Sequence, residues 1–215
     1  MGYSNLLAEL AFTARQRSGK LAVPDLPHLD SQESISWFLD RLATANRYLE
    51  YGTGASTYQA AKVGADFIAV DTDRYFLEAV RRKIHSAGLD RPGQVFRYAD
   101  IGWTGTWGRP LGRITERRLE KFRRASDPPP ECFDGRLPDL VLVDGRFRVA
   151  CALKAFNMLG AQTGWTLVLD DYADRPQYRA IEDYAQVDMV GRMAVVRRAR
   201  PVPEEVIARW EVDFN

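Results

Sequence analysis

Tyr48-Leu49-Glu50-Tyr51-Gly52-Thr53-Gly54-Ala55-Ser56-Thr57 is the stretch whose reading decides the architecture. A short apolar run enters Gly-x-Gly and continues into a helix-forming segment. Glycine lets a backbone approach a ligand closely, and the first amides of the following helix face that ligand. The next apolar run, 67–70, ends at Asp71, 19 residues after Gly52. A carboxylate at that place accepts hydrogen bonds from ribose hydroxyls. Glycine turn and acid together point to a ligand that contains a nucleoside.

Outward from this centre, the spacing predicts strands at 48–51, 67–70, 95–98, 140–143 and 167–169. Helices are expected near 57–63, 76–86, 149–159 and 177–184, and edge strands at 193–196 and 210–214. Alternating strand and helix implies an α/β, Rossmann-like, doubly wound and mostly parallel sheet with helices on both faces. Residues 1–46 read as an N-terminal helical segment packed on a main domain of residues 47–215. Its first helix carries Leu6, Leu7, Leu10 and Ala14. Its second opens on a capping box of Asp30 and Glu33, with Ile35, Phe38, Leu39 and Leu42 on one face. The connection at 102–137 is far longer than the roughly 2–6 residues usual in such folds. A helix at 115–124 is expected within it, ended by Pro128-Pro129-Pro130.

Composition bounds the rest. The chain has 215 residues, 46% of them hydrophobic, enough for one substantial core. Thirty Lys and Arg against 29 Asp and Glu leave +1, which argues against a whole-chain polyanion binder. Cys132 and Cys151 make no disulfide framework, and with His28 and His85 the only histidines a structural zinc site is disfavoured. No apolar run approaches the ~18 residues of a membrane span, so a cytoplasmic protein with no membrane partner is expected.

The ligand narrows further. A dinucleotide fingerprint wants a third glycine where Thr57 stands, which disfavours NAD. Glu50 beside the turn would repel a pyrophosphate and welcome a cationic amino-acid group. Asp100, after the third strand, is placed to accept from an exocyclic amine.

Glu50–Thr57, Val70-Asp71 and Ala99-Asp100-Ile101 resemble the first three motifs of class I S-adenosylmethionine-dependent methyltransferases. The likeness runs from about Arg47 to the C-terminus. It implies S-adenosylmethionine as cofactor, with Gly52, Thr53, Gly54 and Ser56 around its methionine part and Glu50 near its amino group. It also implies Asp71 on the ribose, and Asp100 and Ile101 at the adenine. Asp100-Ile101-Gly102 with Trp107-Gly108, and the run from Val143 to Cys151, look like a bacterial methyltransferase-like group.

The fourth strand ends Asp144-Gly145-Arg146 and the fifth Asp170-Asp171-Tyr172, tips that share the ligand-binding edge. Three carboxylates there would suit Mg²⁺ or Mn²⁺. The pattern is similar to metal-dependent O-methyltransferases, which would make Asp144, Asp170 and Asp171 metal ligands and assist O-methylation. Those enzymes carry a Lys where Arg146 and Arg148 stand, and arginine cannot serve as a base. Asp144 and Arg146 are the candidate reaction residues, Arg146 gripping a substrate anion or one of the acids. Equally, Asp144 can cap the following helix, and Asp170 with Asp171 can pair with Arg146, Arg148 or Arg175.

Arg109, Arg113, Arg117, Arg118, Lys121, Arg123 and Arg124 read either as a solvated helix face or as a basic rim favouring an anionic small-molecule acceptor. Nucleic acid is disfavoured by the low net charge and by the lack of an Asn-Pro-Pro-Tyr type loop after strand four. Two rival functions stand beside methyl transfer: a non-catalytic nucleoside-binding relative and an NAD-dependent enzyme.

Overall fold

Arg47–Tyr51 forms β1, and the alternation of its side chains shows how the molecule is layered. The structure, a computed structural model, describes residues 21–160 and 162–214 together with Ala14, Gln16 and Ser18. Tyr48 enters one core with Phe67, Ala69, Leu140, Leu142 and Val168. Leu49 and Tyr51 enter the other with Ile68, Val70, Val141, Val143, Leu167 and Leu169. Strands buried on both faces are what a parallel sheet covered by helices requires.

The elements follow in order: α1 (Gln32–Thr44), β1, α2 (Ala55–Val63), β2 (Asp66–Asp71), α3 (Arg74–Ser86) and β3 (Gln94–Tyr98). Then come α4 (Glu116–Ala125), β4 (Leu140–Val143), α5 (Arg148–Leu159), β5 (Thr166–Leu169), β6 (Asp188–Val190), β7 (Met193–Val196) and α6 (Glu204–Trp210). Phe38 and Leu42 of α1, Ala60 and Ala61 of α2, and Val80 and Ile84 of α3 close the first core. Phe122 of α4, the apolar side of α5 and Ile207 of α6 close the second. Each large side chain so buried contributes about 1.5–3 kcal/mol.

The sheet runs β3-β2-β1-β4-β5-β7-β6. Its first five members are parallel, β7 is antiparallel to β5, and β6 is antiparallel to β7. The order reverses between β1 and β4. The carboxyl ends of those two strands therefore part into a crevice, the place where such sheets bind ligands.

Several local expectations are corrected. Ser31, not Asp30, caps α1, accepting from Ser34 N–H at 3.1 Å. Asp30 instead accepts from the Arg192 N–H at the β6–β7 turn, a contact across 162 residues. Residues 193–196 are no edge, because β6 pairs outside them. Residues 204–210 are helical where a strand at 210–214 was expected, since Pro203 and two acids in the first turn favour a helix start. The helix expected near 177–184 is a 3-10 segment, Pro176–Asp183. The expected stripe on Leu6, Leu7 and Leu10 lies outside the described residues.

Candidate functional site

Two glycines build the floor of the crevice. Gly52, just past β1, has φ +102°, and a methyl group on it would lie 2.6 Å from Gly145 N and 2.8 Å from the Asp144 carbonyl carbon. A methyl on Gly145 would lie 3.0 Å from Gly52 N. The two turns thus pack backbone to backbone, held by Asp144 N–H to the Tyr51 carbonyl, while Gly52 N–H to the Val70 carbonyl ties the first turn to β2, each 2.8 Å. Only a residue without Cβ serves at Gly52, where both the dihedral and the space demand it.

Asp71 at the tip of β2 lines the crevice beside Gly52. Its Oδ2 accepts from Thr53 N–H (2.8 Å) and the Thr53 hydroxyl (2.5 Å), and its Oδ1 from Asp73 N–H (2.7 Å). Burial nevertheless pushes its carboxyl up to about 6. Three protein donors leave a carboxylate roughly one lone-pair site for an outside donor.

Glu50 is fully buried and does not line the crevice. The Ser56 hydroxyl donates to its Oε1, and the Thr57 hydroxyl to its Oε2 at 2.5 Å. Thr57 also accepts from Gly54 N–H at 3.0 Å, capping the start of α2. The residue that departs from the dinucleotide glycine pattern therefore ties the helix start to the strand end. Desolvation pushes the Glu50 carboxyl up to about 8.

The hollow between these parts is small, about 10 Å³, lined by Tyr51, Gly52, Val70, Asp71, Thr72, Ala125, Gly145 and Arg146. That is space on the scale of one water molecule. The β3–α4 connection closes over it. A methyl on Gly108 would stand 2.7 Å from the Thr72 hydroxyl and 3.9 Å from the Arg146 side chain. Arg146 Nε donates to the Trp107 carbonyl (2.9 Å), and its Nη1 to the Phe214 carbonyl (3.2 Å). Trp107 itself sits at φ 59°, ψ 32° and is 79% exposed.

Asp100 and Ile101 are placed differently from the crevice residues. Asp100 accepts from Lys121 (2.5 Å) and Gly102 N–H (2.9 Å), which hold its carboxyl below the usual range. Ile101 is a core residue with no exposed surface. Its carbonyl, with those of Trp103 and Leu111, is taken by the Arg118 guanidinium, so this member of the basic run pins the connection.

Asp144, Asp170 and Asp171 do come together, with carboxylate oxygens within 4.8 Å of one another. Guanidinium groups occupy them. Arg192 takes both oxygens of Asp170, at 2.9 and 2.6 Å, and approaches Asp171 at 3.2 Å. Arg148 reaches Asp171 at 2.9 Å and Asp144 at 3.0 Å, and Arg175 lies 3.4 Å from Asp171. Three cations already balance three anions, and both oxygens of Asp170 and of Asp171 that a hard divalent ion would need are engaged. A resident Mg²⁺ does not fit this donor set. Burial raises the Asp144 carboxyl despite Arg148, with Asp170 and Asp171 adding to the rise.

Sequence reasoning missed Arg192, Thr72, the contact of Gly108 with Thr72 and the pairing of Gly145 with Gly52. Gly145 was readable as a turn glycine, but nothing local signals what it faces. Arg192 follows a hairpin glycine, and only the placement of β7 beside β5 brings it to Asp170.

No family model matches the chain, and no curated protein does. Among solved structures, a methyltransferase-like protein (spo2022) from Silicibacter pomeroyi is 27% identical, with a TM-score of 0.71 over 88% of this chain and 100% of that one. The O-methyltransferase TomG from Streptomyces achromogenes, involved in tomaymycin synthesis and solved with SAM, is 19% identical, with a TM-score of 0.49 over 89% and 90%. An O-methyltransferase from Bacillus cereus, solved with SAH, is 15% identical, with a TM-score of 0.47 over 88% and 90%.

Proposed function

We propose that this chain, whose fold is that of the class I methyltransferase superfamily, transfers a methyl group from S-adenosylmethionine to a small-molecule acceptor. The observation that carries the proposal is the Gly52–Gly145 cradle at the reversal of strand order, with Asp71 on the adjoining strand tip. S-adenosylmethionine supplies a methyl group activated by its sulfonium. The chain's own residues then bind and orient. The glycine turn allows close backbone approach, Asp71 accepts from the ribose, and the Ala55 and Ser56 amides at the start of α2 offer donors.

No step is routed through a metal. Asp144 is the residue offered as proton acceptor from the methyl-accepting group. It adjoins Gly145 of the crevice floor, and its raised carboxyl makes it a stronger base than an ordinary aspartate. Holding donor and acceptor in line supplies the rest of the rate.

For a nucleoside to enter, the Trp107–Gly108 segment must move off Thr72. The filled hollow is also the observation that favours the rival reading, a non-catalytic relative. Calorimetry with S-adenosylmethionine, S-adenosylhomocysteine and NADH tests both. Micromolar binding of the first two but not NADH, with methyl transfer to a member of an acceptor pool, is the expected result. Binding of neither sulfur nucleoside would overturn the proposal, and binding without any transfer would favour the rival.

A further inference from the structure

Four arginines surround the end of β4 and β5, and three of them are answered by carboxylates. Arg148 pairs with Asp144 and Asp171, Arg192 with Asp170 and Asp171, and Arg175 with Asp171. Arg146 is not. Its guanidinium donates to two backbone carbonyls, those of Trp107 and Phe214, and among the described residues it meets no acid. It is partly buried and lines the hollow beside Gly52 and Asp71. Arg148, Arg175 and Arg109 lie close enough to repel it. Proteins pair the charges they withdraw from water, because an uncompensated one is destabilising.

A second observation lies next to it. Tyr178 is 1% exposed, its hydroxyl has no hydrogen-bond partner, and its ring lies under Arg148 and Arg175 at 5.9 and 5.7 Å. Its hydroxyl is in electrostatic reach of Arg146. Arg146, which lines the hollow, thus lacks a carboxylate partner among the described residues, and the buried Tyr178 hydroxyl, beside Arg148 and Arg175, lacks a hydrogen-bond partner among them. Five donors in a planar fork suit a carboxylate or a phosphate.

We infer that Arg146 is the specificity-determining residue for the acceptor, and that the acceptor carries an anionic group, a carboxylate or a phosphate, which Arg146 binds beside the methyl donor. This rests on the methyl-transfer reading for the donor, whereas the anion site is measurable without it. The acid cluster does not already fill the role, since its charges are used on the other three arginines. Trp107, exposed directly next to the carbonyl that Arg146 holds, offers an apolar plate for the remainder of the molecule.

The test titrates the intact protein with phenyl phosphate, benzoate and the neutral benzamide, following melting temperature and calorimetric heat, with and without S-adenosylhomocysteine. One or both anions should bind and benzamide should not, and which anion binds separates phosphate from carboxylate. Arg146→Met should weaken the anion at least 10-fold while its own melting temperature stays equal or rises, because an unpaired charge is removed. Arg146→Lys should keep part of the binding. Equal binding of benzamide, no binding of either anion, or unchanged anion affinity in Arg146→Met would overturn the inference. A fall in melting temperature for Arg146→Met with unchanged anion binding would show a purely structural clamp. Failure of S-adenosylhomocysteine to bind, with the anion still held through Arg146, would remove the donor reading and leave the anion site.

Discussion

Gly52 and Gly145 face each other across the ends of β1 and β4 with their backbones in contact, so that neither has room for a side chain. The order reversal of the sheet creates the crevice, and this pair sets how near the two turns come.

The contact predicts unequal costs for two small substitutions. Gly52→Ala meets backbone at 2.6 Å and adopts φ +102°, whereas Gly145→Ala meets it at 3.0 Å. Gly52→Ala should lose about 2–4 kcal/mol and Gly145→Ala about 1–2. Urea denaturation measures both, and equal losses would show that the turns relax freely.

Glu50 predicts a pH signature. Its folded value, about 8, lies above the ordinary 4.5, so the native state keeps a proton that the unfolded chain releases between those values. Its contribution is complete below about pH 4.5 and is lost as pH rises through 8. The slope approaches about 1.4 kcal/mol per pH unit. Glu50→Gln lacks that titration. The melting temperature of the wild type should fall relative to Glu50→Gln between pH 5 and 8. Parallel curves would mean the carboxyl is ionised in the fold.

Asp71→Asn removes a charged acceptor from the crevice and should weaken S-adenosylhomocysteine binding by about 10- to 150-fold, the equivalent of ~1.5–3 kcal/mol. Because Asp71 also holds Thr53 and Asp73, thermal melting must accompany calorimetry. A folded variant with unaltered affinity would place the nucleoside elsewhere.

The segment over the hollow makes a dynamic prediction. Gly108 and Arg109 amides are bonded to the Gly105 and Thr106 carbonyls, at 3.1 and 3.2 Å. If a nucleoside enters, those amides should exchange with deuterium faster in the S-adenosylhomocysteine complex than in the free protein. Tight binding with unchanged protection there would place the ligand outside the crevice.

The arginine–aspartate network at the ends of β4 and β5 can be broken from one side. Arg192→Ala leaves Asp170, 1% exposed, without its bidentate partner, a loss of about 3–5 kcal/mol. Millimolar Mg²⁺ should leave the melting temperature of the wild type unchanged. A clear rise would show that the ion displaces the arginines.

Sequence alone determined the central architecture, because apolar runs at strand spacing alternate with helical ones from Arg47 to Leu169, and short-range pattern is enough to place five parallel strands. It also placed Gly52, Asp71, Asp144 and Asp170 at strand ends. Tertiary structure decided what those residues meet. Asp30 reaches Arg192 across 162 positions and Asp170 meets the same arginine across 22, contacts set by sheet order and hairpin placement that no local pattern encodes. It likewise decided that Asp144, Asp170 and Asp171 spend their charge on arginines and that Arg146 does not, because pairing depends on distances of about 3 Å between side chains, and the fold alone brings them there.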